Sequence, residues 1–174
     1  MIKNYIEYKE YIKQDYIANK MNKKSSLISP TWRYILCLRK YELYFNSNSF
    51  FRKTFYKLML QHYSVKTGIT IPANTFGKGL YIPHYGCIVV NGSARFGDYC
   101  VIQCGVNISE NASGGNHIYL GAGAKILRGV NIADDVIIGA NAVITKDIND
   151  ANTVWGGIPA KKISNKGYRN REII

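Results

Sequence analysis

Glycine is absent from the first 67 of the 174 residues, and all 16 glycines lie at position 68 or later. Glycine marks corners and positive φ angles, so a chain that changes from none to many changes its architecture at that point. We therefore predict a boundary near Thr67 and Gly68. Residues 1–67 form one section, residues 68–163 form the main domain, and residues 164–174 form a C-terminal tail.

Cysteine and long apolar runs are also scarce. The four cysteines are too few for a disulfide scaffold, and none form a CxxC pair of the kind that binds zinc, so we expect no metal. The longest apolar run in the first fifty residues, Tyr34 to Leu38, is too short for the core of a signal sequence or for a membrane span. A soluble, cytoplasmic protein is the default expectation.

Acidic residues are few in the glycine-free section. It has 13 Lys and Arg against four acids, a charge of +9 out of +12 for the chain, and nine of the 14 tyrosines. Apolar residues recur at helical spacing from Tyr5 to Ile17, from Tyr34 to Phe45 and from Phe50 to Tyr63, with a polar break from Lys20 to Pro30. The simplest interpretation is aromatic packing with solvated lysines. The alternative is attraction to an anionic partner, a membrane surface or a polyanionic saccharide, whereas no nucleic-acid motif accompanies the charge.

After Gly68 the sequence repeats with a period of six. In steps of six from Thr70 to Val154, 14 of 15 positions are apolar in a chain that is 47% apolar overall. A second apolar series follows two residues later, from Val90 to Ile144. This period is typical of short strands that form the three walls of a triangular prism, with three hexads in each coil. The sequence predicts a mainly β fold, a parallel β-helix of about five coils behind an α-helical N-terminal section.

One hexad lacks the apolar pattern. The stretch from Ser109 to Asn116 has a single apolar residue, Ala112, and would bury little as a wall. We predict a loop near 109–117 that projects from the prism, and loops on rigid repeats often carry function.

Three motifs resemble those of a known family. They are the run from Gly77 to Val90 that contains His84, the Gly-Gly-Asn-His run at 114–117, and Gly-Ile-Pro-Ala-Lys at 157–161. In this order they resemble the hexapeptide-repeat acetyltransferases, in particular serine acetyltransferases and their relatives in capsule and O-antigen gene clusters. The resemblance implies a left-handed β-helix, a homotrimer with active sites between adjacent prisms, and acetyl-CoA as the donor.

The resemblance also implies the site residues. It places active-site histidines at His84 and His117, and histidine suits a general base because its ordinary pKa lies near neutrality. In such an enzyme, backbone amides hold the oxyanion. Coenzyme A would run along an edge of the prism, with Trp155 and Ile158 closing the end or shielding the adenine. Its contacts would be the backbone of Ala122 and Ala140 along the pantetheine arm, and Thr145, Lys146 and Lys161 near the adenosine end, although either lysine could equally be a solvated surface residue.

Two departures from serine acetyltransferases bear on the acceptor. Those enzymes have an Asp directly before the first histidine and another upstream that orients it, whereas this chain has Pro83 and Ile69. The loss of a carboxylate partner for an ammonium group favours a sugar hydroxyl, in capsular polysaccharide or O-antigen biosynthesis. The alternatives are a serine O-acetyltransferase of cysteine biosynthesis and a non-catalytic scaffold for polysaccharide assembly. A covalent route through Cys87 is a further option for the mechanism.

Overall fold

A computed structural model describes residues 1–47 and 49–170. Four helices precede the β domain: α1 (Tyr5–Ala18), α2 (Lys23–Ile28), α3 (Pro30–Asn46) and α4 (Phe50–Thr67). None of the described helices is both long enough and apolar enough to cross a bilayer. The polar break expected between residues 20 and 30 was wrong in part, because it contains α2. There the Asn22 side chain accepts from the Ser25 N–H and the Ser25 hydroxyl accepts from the Asn22 N–H, both at 2.9 Å, which satisfies the first turn.

Helix α3 packs against the first coil of the β domain. Its residues Trp32, Tyr34, Ile35 and Leu38 are buried in the same apolar core as the prism interior. The Tyr34 hydroxyl accepts from the backbone N–H of Ile71 at 2.8 Å, so the helix is tied to the β domain by a buried polar contact as well. The helical section is thus joined to the prism through one continuous core.

The β domain is a prism with three walls of parallel strands. The strands are β1 (Ile69–Thr70), β2 (Ile88–Val90), β3 (Arg95–Phe96), β4 (Val101–Ile102), β5 (Asn107–Ile108), β6 (Ser113–Gly114), β7 (Tyr119–Leu120), β8 (Lys125–Ile126), β9 (Asn131–Ile132), β10 (Ile137–Ile138), β11 (Val143–Ile144), β12 (Val154–Gly157) and β13 (Ala160–Ser164). Wall A contains β1, β2, β5, β8 and β11; wall B contains β3, β6 and β9; wall C contains β4, β7, β10 and β12, with β13 antiparallel at its end. Along each coil the chain passes from wall A to wall B to wall C.

The predicted parallel β-helix is confirmed. Strands stack 18 residues apart, as in the pairing of Val101 with Tyr119, and the walls contain about five coils. Both apolar series point inward and are buried from Ala94 onward. Stacking neighbours along one axis therefore builds one continuous core, and each coil contacts only the coils beside it.

The first coil departs from the uniform count of six. Phe76 pairs with Phe96, 20 residues later, which places Phe76 in the second apolar series and not in the first. Thr70, the one polar member of the counted frame, is exposed, while Ile69 takes the inward position. Counting in sixes could not detect the shift at Phe76, because it moves this residue from one inward series to the other.

The predicted loop near 109–117 was wrong. Residues Ser113–Gly114 form strand β6 in the middle of wall B, and Ala112 is buried. The polar side chains of this hexad bond to neighbouring corners instead of projecting. The Asn116 side-chain oxygen accepts from the Asp98 N–H at 2.9 Å, and the Asn116 N–H donates to Asp134 at 2.6 Å. These bonds replace the apolar burial that the hexad lacks.

Candidate active site

His84 lies on the edge between walls C and A, hereafter the C–A edge, in a corner that is two residues longer than the next one along the prism. Tyr81 pairs with Val101, and Val89 pairs with Asn107. The step from Tyr81 to Val89 is eight residues, whereas the step between their partners is six. His84 and the tyrosine after it are both exposed. The extra length thus presents the imidazole to solvent, where a substrate hydroxyl can reach it.

Two helix ends hold this corner by its backbone. At the end of α1, the buried side chain of Asn19 donates to the carbonyl of Leu80 at 2.8 Å and accepts from the N–H of Ile82 at 3.2 Å. At the end of α4, the Thr67 carbonyl accepts from the N–H of Gly86 at 2.9 Å. The backbone on both sides of the histidine is therefore fixed, while the imidazole itself forms no hydrogen bond with the described residues.

A buried ion-pair network supports the first of these anchors. The Asp15 carboxylate accepts from the Leu80 N–H at 2.9 Å and from the Arg39 guanidinium at 2.8 Å, and Arg39 also bonds to Glu42 at 2.9 Å. Burial alone would lower the pKa of Arg39, but the Asp15 and Glu42 carboxylates raise it, and the net direction is upward. The guanidinium stays charged and holds α1, α3 and the first coil together.

The C–A edge continues from His84 as a column of small residues. Its next three corners contain Cys104–Gly105, Ala122–Gly123 and Ala140–Asn141, which stack on one another at steps of 18 residues. The N–H of Asn141 donates to the carbonyl of Ala122 at 2.7 Å, and a Cβ on Gly105 would lie only 3.2 Å from the backbone of the next corner. Three coil steps at a strand spacing of about 4.8 Å place Ala140 roughly 15 Å from His84. The edge is a smooth track of a length suited to an extended pantetheine arm.

A cavity of about 300 Å³ lies at the far end of the domain, between wall A and the β12–β13 hairpin. Thr145, Lys146 and Lys161 line it together with Trp155 and Pro159. The Asp147 carboxylate also lines it and accepts from the N–H of Asn131 at 2.8 Å. Both lysines are exposed, and neither pairs with a carboxylate within residues 1–47 and 49–170. Two cations beside an indole ring fit the phosphates and the adenine of a nucleotide. The structure thus brings together the three residues predicted for the adenosine end.

His117 lies on a different edge from His84. It occupies the corner between walls B and C at a φ of 54°, where its ring stacks on Tyr99 with 5.4 Å between centroids. Its Nδ1 is 3.1 Å from a carboxylate oxygen of Asp135, which is buried and also bonds to Arg169 of the C-terminal tail. The structure does not bring the two histidines together, and His117 belongs to a cluster that joins the tail to the prism.

The cysteines differ in exposure. Cys87 is exposed three residues after His84, whereas Cys100 is buried in the prism interior. Burial raises the pKa of the Cys100 thiol to about 12, so this residue is a small core side chain. No group of three or more His, Cys, Asp or Glu side chains suited to a metal ion occurs in the part of the chain that the structure describes.

The sequence analysis missed Asn19, Asp15 and Thr67 as supports of the candidate site. Their partners lie in the β domain, and such long-range contacts leave no periodic signal. One local signal was available, because Asp15 and Asn19 are four residues apart at the end of the aromatic-rich segment that forms α1. Two polar residues at that spacing on an aromatic-rich helix indicate a buried polar contact with another element.

Comparisons with known proteins find similar folds among solved structures. A serine acetyltransferase from Brucella abortus strain S19 superposes with a TM-score of 0.77 at 22% identity, covering 94% of this chain and 71% of that one. Soybean serine acetyltransferase in complex with serine superposes with a TM-score of 0.77 at 20% identity, covering 91% of this chain and 70% of that one. For the Neisseria gonorrhoeae serine acetyltransferase the TM-score is 0.75 at 19% identity, covering 96% of this chain and 71% of that one. No protein-family model matches the sequence, and no curated protein does. The chain thus has the left-handed parallel β-helix fold, with a helical N-terminal section, that is seen in serine acetyltransferases.

Proposed function

We propose that the chain is an acetyl-CoA-dependent O-acetyltransferase in which His84 is the general base. The observation that carries this proposal is the arrangement along the C–A edge. An accessible imidazole stands at one end, a column of small residues follows, and a cavity with Lys146 and Lys161 lies at the other end. The fold shared with serine acetyltransferases supports the same activity.

The chemistry requires one proton acceptor and one good leaving group. His84 takes the proton from the acceptor hydroxyl as its oxygen attacks the thioester carbon. A C–O bond forms, the C–S bond breaks, and the departing thiolate takes the proton back from His84. Within one chain His117 lies on another edge and does not reach His84, so a role for it in this scheme would require an adjacent copy of the chain. Cys87 is not needed as a nucleophile.

Two acceptors are candidates, and the comparisons favour serine. The similar solved structures named above are serine acetyltransferases, and one of them is a complex with serine. They support the serine alternative better than our first expectation of a sugar hydroxyl. One observation still speaks for the sugar: Pro83 precedes His84, so this position offers no carboxylate for an ammonium group. The position of the upstream, orienting Asp is taken by Ile69, which is fully buried in the prism core. Both acceptors therefore enter the test.

We also propose that the working enzyme is a homotrimer. The described residues supply no hydrogen-bond partner for the His84 imidazole, and the exposed C–A edge leaves the donor covered on one side only. An adjacent copy of the chain would enclose the donor and could orient the histidine. Sedimentation analysis of the purified protein, with and without coenzyme A, tests this part: a monomer in both conditions contradicts it.

The test of the activity is release of free thiol from acetyl-CoA, measured with serine and with a panel of capsule and O-antigen saccharides. The His84→Ala variant is expected to lose on the order of a hundredfold or more in rate. His62→Ala is the matched control, because His62 is exposed on α4, outside the proposed site. Release at an unchanged rate in His84→Ala would remove His84 from the mechanism. Failure of the protein to bind coenzyme A at all would contradict the proposed activity and favour the alternative of a non-catalytic scaffold.

A further inference from the structure

Helix α4 exposes an apolar stripe, interrupted by His62, on the side opposite its packing face. Phe51 is 85% exposed, Phe55 is 56%, Leu58 is 66% and Val65 is 79%. These residues follow one another at steps of four, three and seven, so they share one face of the helix. The other face of α4, which includes Tyr56, Leu60 and Tyr63, is partly buried against the rest of the protein. A large apolar stripe of this kind indicates an interaction surface.

The charge around the stripe has one sign. Arg52, Lys57 and Lys66 flank it on both sides and are exposed. The sequence contains no Asp or Glu between Glu42 and Asp98, so α4 has no acidic residue to balance them. The surface therefore combines outward aromatic and aliphatic side chains with an unopposed positive charge.

We propose that this face of α4 lies on the surface of a membrane that contains anionic lipids. An amphipathic helix with aromatic and leucine side chains outermost and basic residues at its flanks has the composition of a helix that rests in the headgroup region. The phenylalanines and Leu58 enter the boundary of the acyl chains, and the three cations contact the lipid phosphates. The helix lies parallel to the surface.

Two other possible partners of this surface, a second copy of the chain and a soluble polyanion, would each match only one of its two features. A second copy of the chain, paired through this face, would bring the Arg52, Lys57 and Lys66 of both copies together with no acid in α4 to pair with them. A soluble polyanion would use the cations but gains nothing from Phe51, Phe55 and Leu58 in the outermost position. A bilayer with anionic headgroups uses both features.

The test is co-sedimentation of the full chain with phosphatidylcholine vesicles and with vesicles that also contain phosphatidylglycerol. We expect binding to the anionic vesicles, weakened by salt. The combined variant Phe51→Ala/Phe55→Ala/Leu58→Ala is expected to lose binding to the anionic vesicles. The combined variant Lys57→Gln/Lys66→Gln should weaken it on the order of thirtyfold, since each cation near such a surface contributes about 1 kcal/mol.

The matched controls lie on α2, which also exposes apolar and basic side chains. Leu27→Ala/Ile28→Ala and Lys23→Gln/Lys24→Gln change the same kinds of residue outside α4 and should leave vesicle binding unchanged. Circular dichroism checks that all variants remain folded, which we expect because the substituted side chains are exposed.

Three results would overturn the proposal. Equal loss in the α2 controls would show that binding does not depend on α4. Full binding by the apolar triple variant, with loss only in the lysine variant, would indicate a surface for soluble polyanions. A change of molecular mass in the triple variant, without any vesicle binding by the wild-type protein, would show that a second copy covers the stripe.

Discussion

The side chain of Asn19 holds the backbone of Leu80 by a 2.8 Å hydrogen bond, four residues before the candidate general base. The same amide also accepts from the N–H of Ile82, so it fixes the chain where it enters the long His84 corner. Asn19 does not touch the site, and it acts through the position of the corner alone. It is therefore a positioning residue for the proposed reaction.

Replacing Asn19 by Ala should lower kcat while leaving the KM for acetyl-CoA near its wild-type value. Loss of the amide frees the corner, and a displacement of about 1 Å at a reacting group can cost on the order of a hundredfold in rate. Asn46→Ala is the matched control. Asn46 likewise bonds α3 to the first coil, through Asn74 at 2.9 Å, but at a distance along the chain from His84. Equal kinetic effects in the two variants would contradict a specific role for Asn19, and NMR titration of the His84 imidazole would show the change independently of turnover.

The buried Asp15–Arg39–Glu42 network should be costly to break. Arg39→Met leaves two buried carboxylates without their cation, which we expect to lower the free energy of unfolding by about 3–5 kcal/mol. Burial already raises the pKa of Asp15, and removal of Arg39 raises it further, so the folded variant binds a proton that the unfolded chain releases. Its stability deficit should therefore grow as the pH rises through the acid range into neutrality. Urea denaturation at several pH values measures this, and a deficit that is constant with pH would contradict it.

Cys87 and Cys100 should react differently with thiol reagents. Cys87 is exposed, whereas burial raises the pKa of Cys100 to about 12, so alkylation of the folded protein should label Cys87 and spare Cys100. Mass spectrometry of the labelled peptides checks this. Cys87→Ala should retain acetyl transfer, because the proposed mechanism passes directly from thioester to hydroxyl. An inactive but folded Cys87→Ala protein that binds coenzyme A would instead support an acyl-cysteine route.

His117→Ala should retain acetyl transfer and lose stability. Its ring stacks on Tyr99, packs at a tilt against Tyr168 and bonds to Asp135, so its removal loosens the attachment of the tail at the corner between walls B and C. We expect a loss of about 1 kcal/mol, typical of one hydrogen bond, because Asp135 keeps its bond to Arg169. Thermal unfolding and the thiol-release assay measure the two effects separately. A loss of rate as large as that of His84→Ala would return His117 to the mechanism.

Gly121 and Gly156 should respond differently to alanine. A Cβ on Gly121 would lie 2.7 Å from both the backbone nitrogen of Ala140 and the carbonyl of Ile138, neither of which can move freely. Gly121→Ala is expected to cost about 1–3 kcal/mol and to weaken binding of coenzyme A, because it pushes the corners of the C–A edge apart. Gly156→Ala meets only the flexible Ile163 side chain at 3.5 Å and should be tolerated. Equal melting temperatures for the two variants would contradict this account of the edge.

The regular part of the fold could be predicted from the sequence, and its irregular parts could not. The hexad period survives because inward residues of every coil share one core, from Ala94 through Ile144. The polar hexad around Ser113 misled the analysis because side chains such as Asn116 satisfy the neighbouring corners, and periodicity does not record hydrogen bonds. The same holds for Asn19, whose partners lie 61 and 63 residues away. His84 could be identified as a candidate from its motif, but its long corner is visible only in the strand register.

In the proposed mechanism, the two extra residues of the His84 corner separate contact with the acceptor from binding of the donor, two tasks that many enzymes combine in one pocket. The parallel pairs from β2 to β11 repeat at 18 residues, and this regular part contains the edge proposed to hold the donor. The corner that would meet the acceptor lies in the first coil, and each coil depends only on its neighbours. Changes in the length or the side chains of this one corner could therefore alter which hydroxyl is acetylated, while the edge proposed to bind the donor stays unchanged.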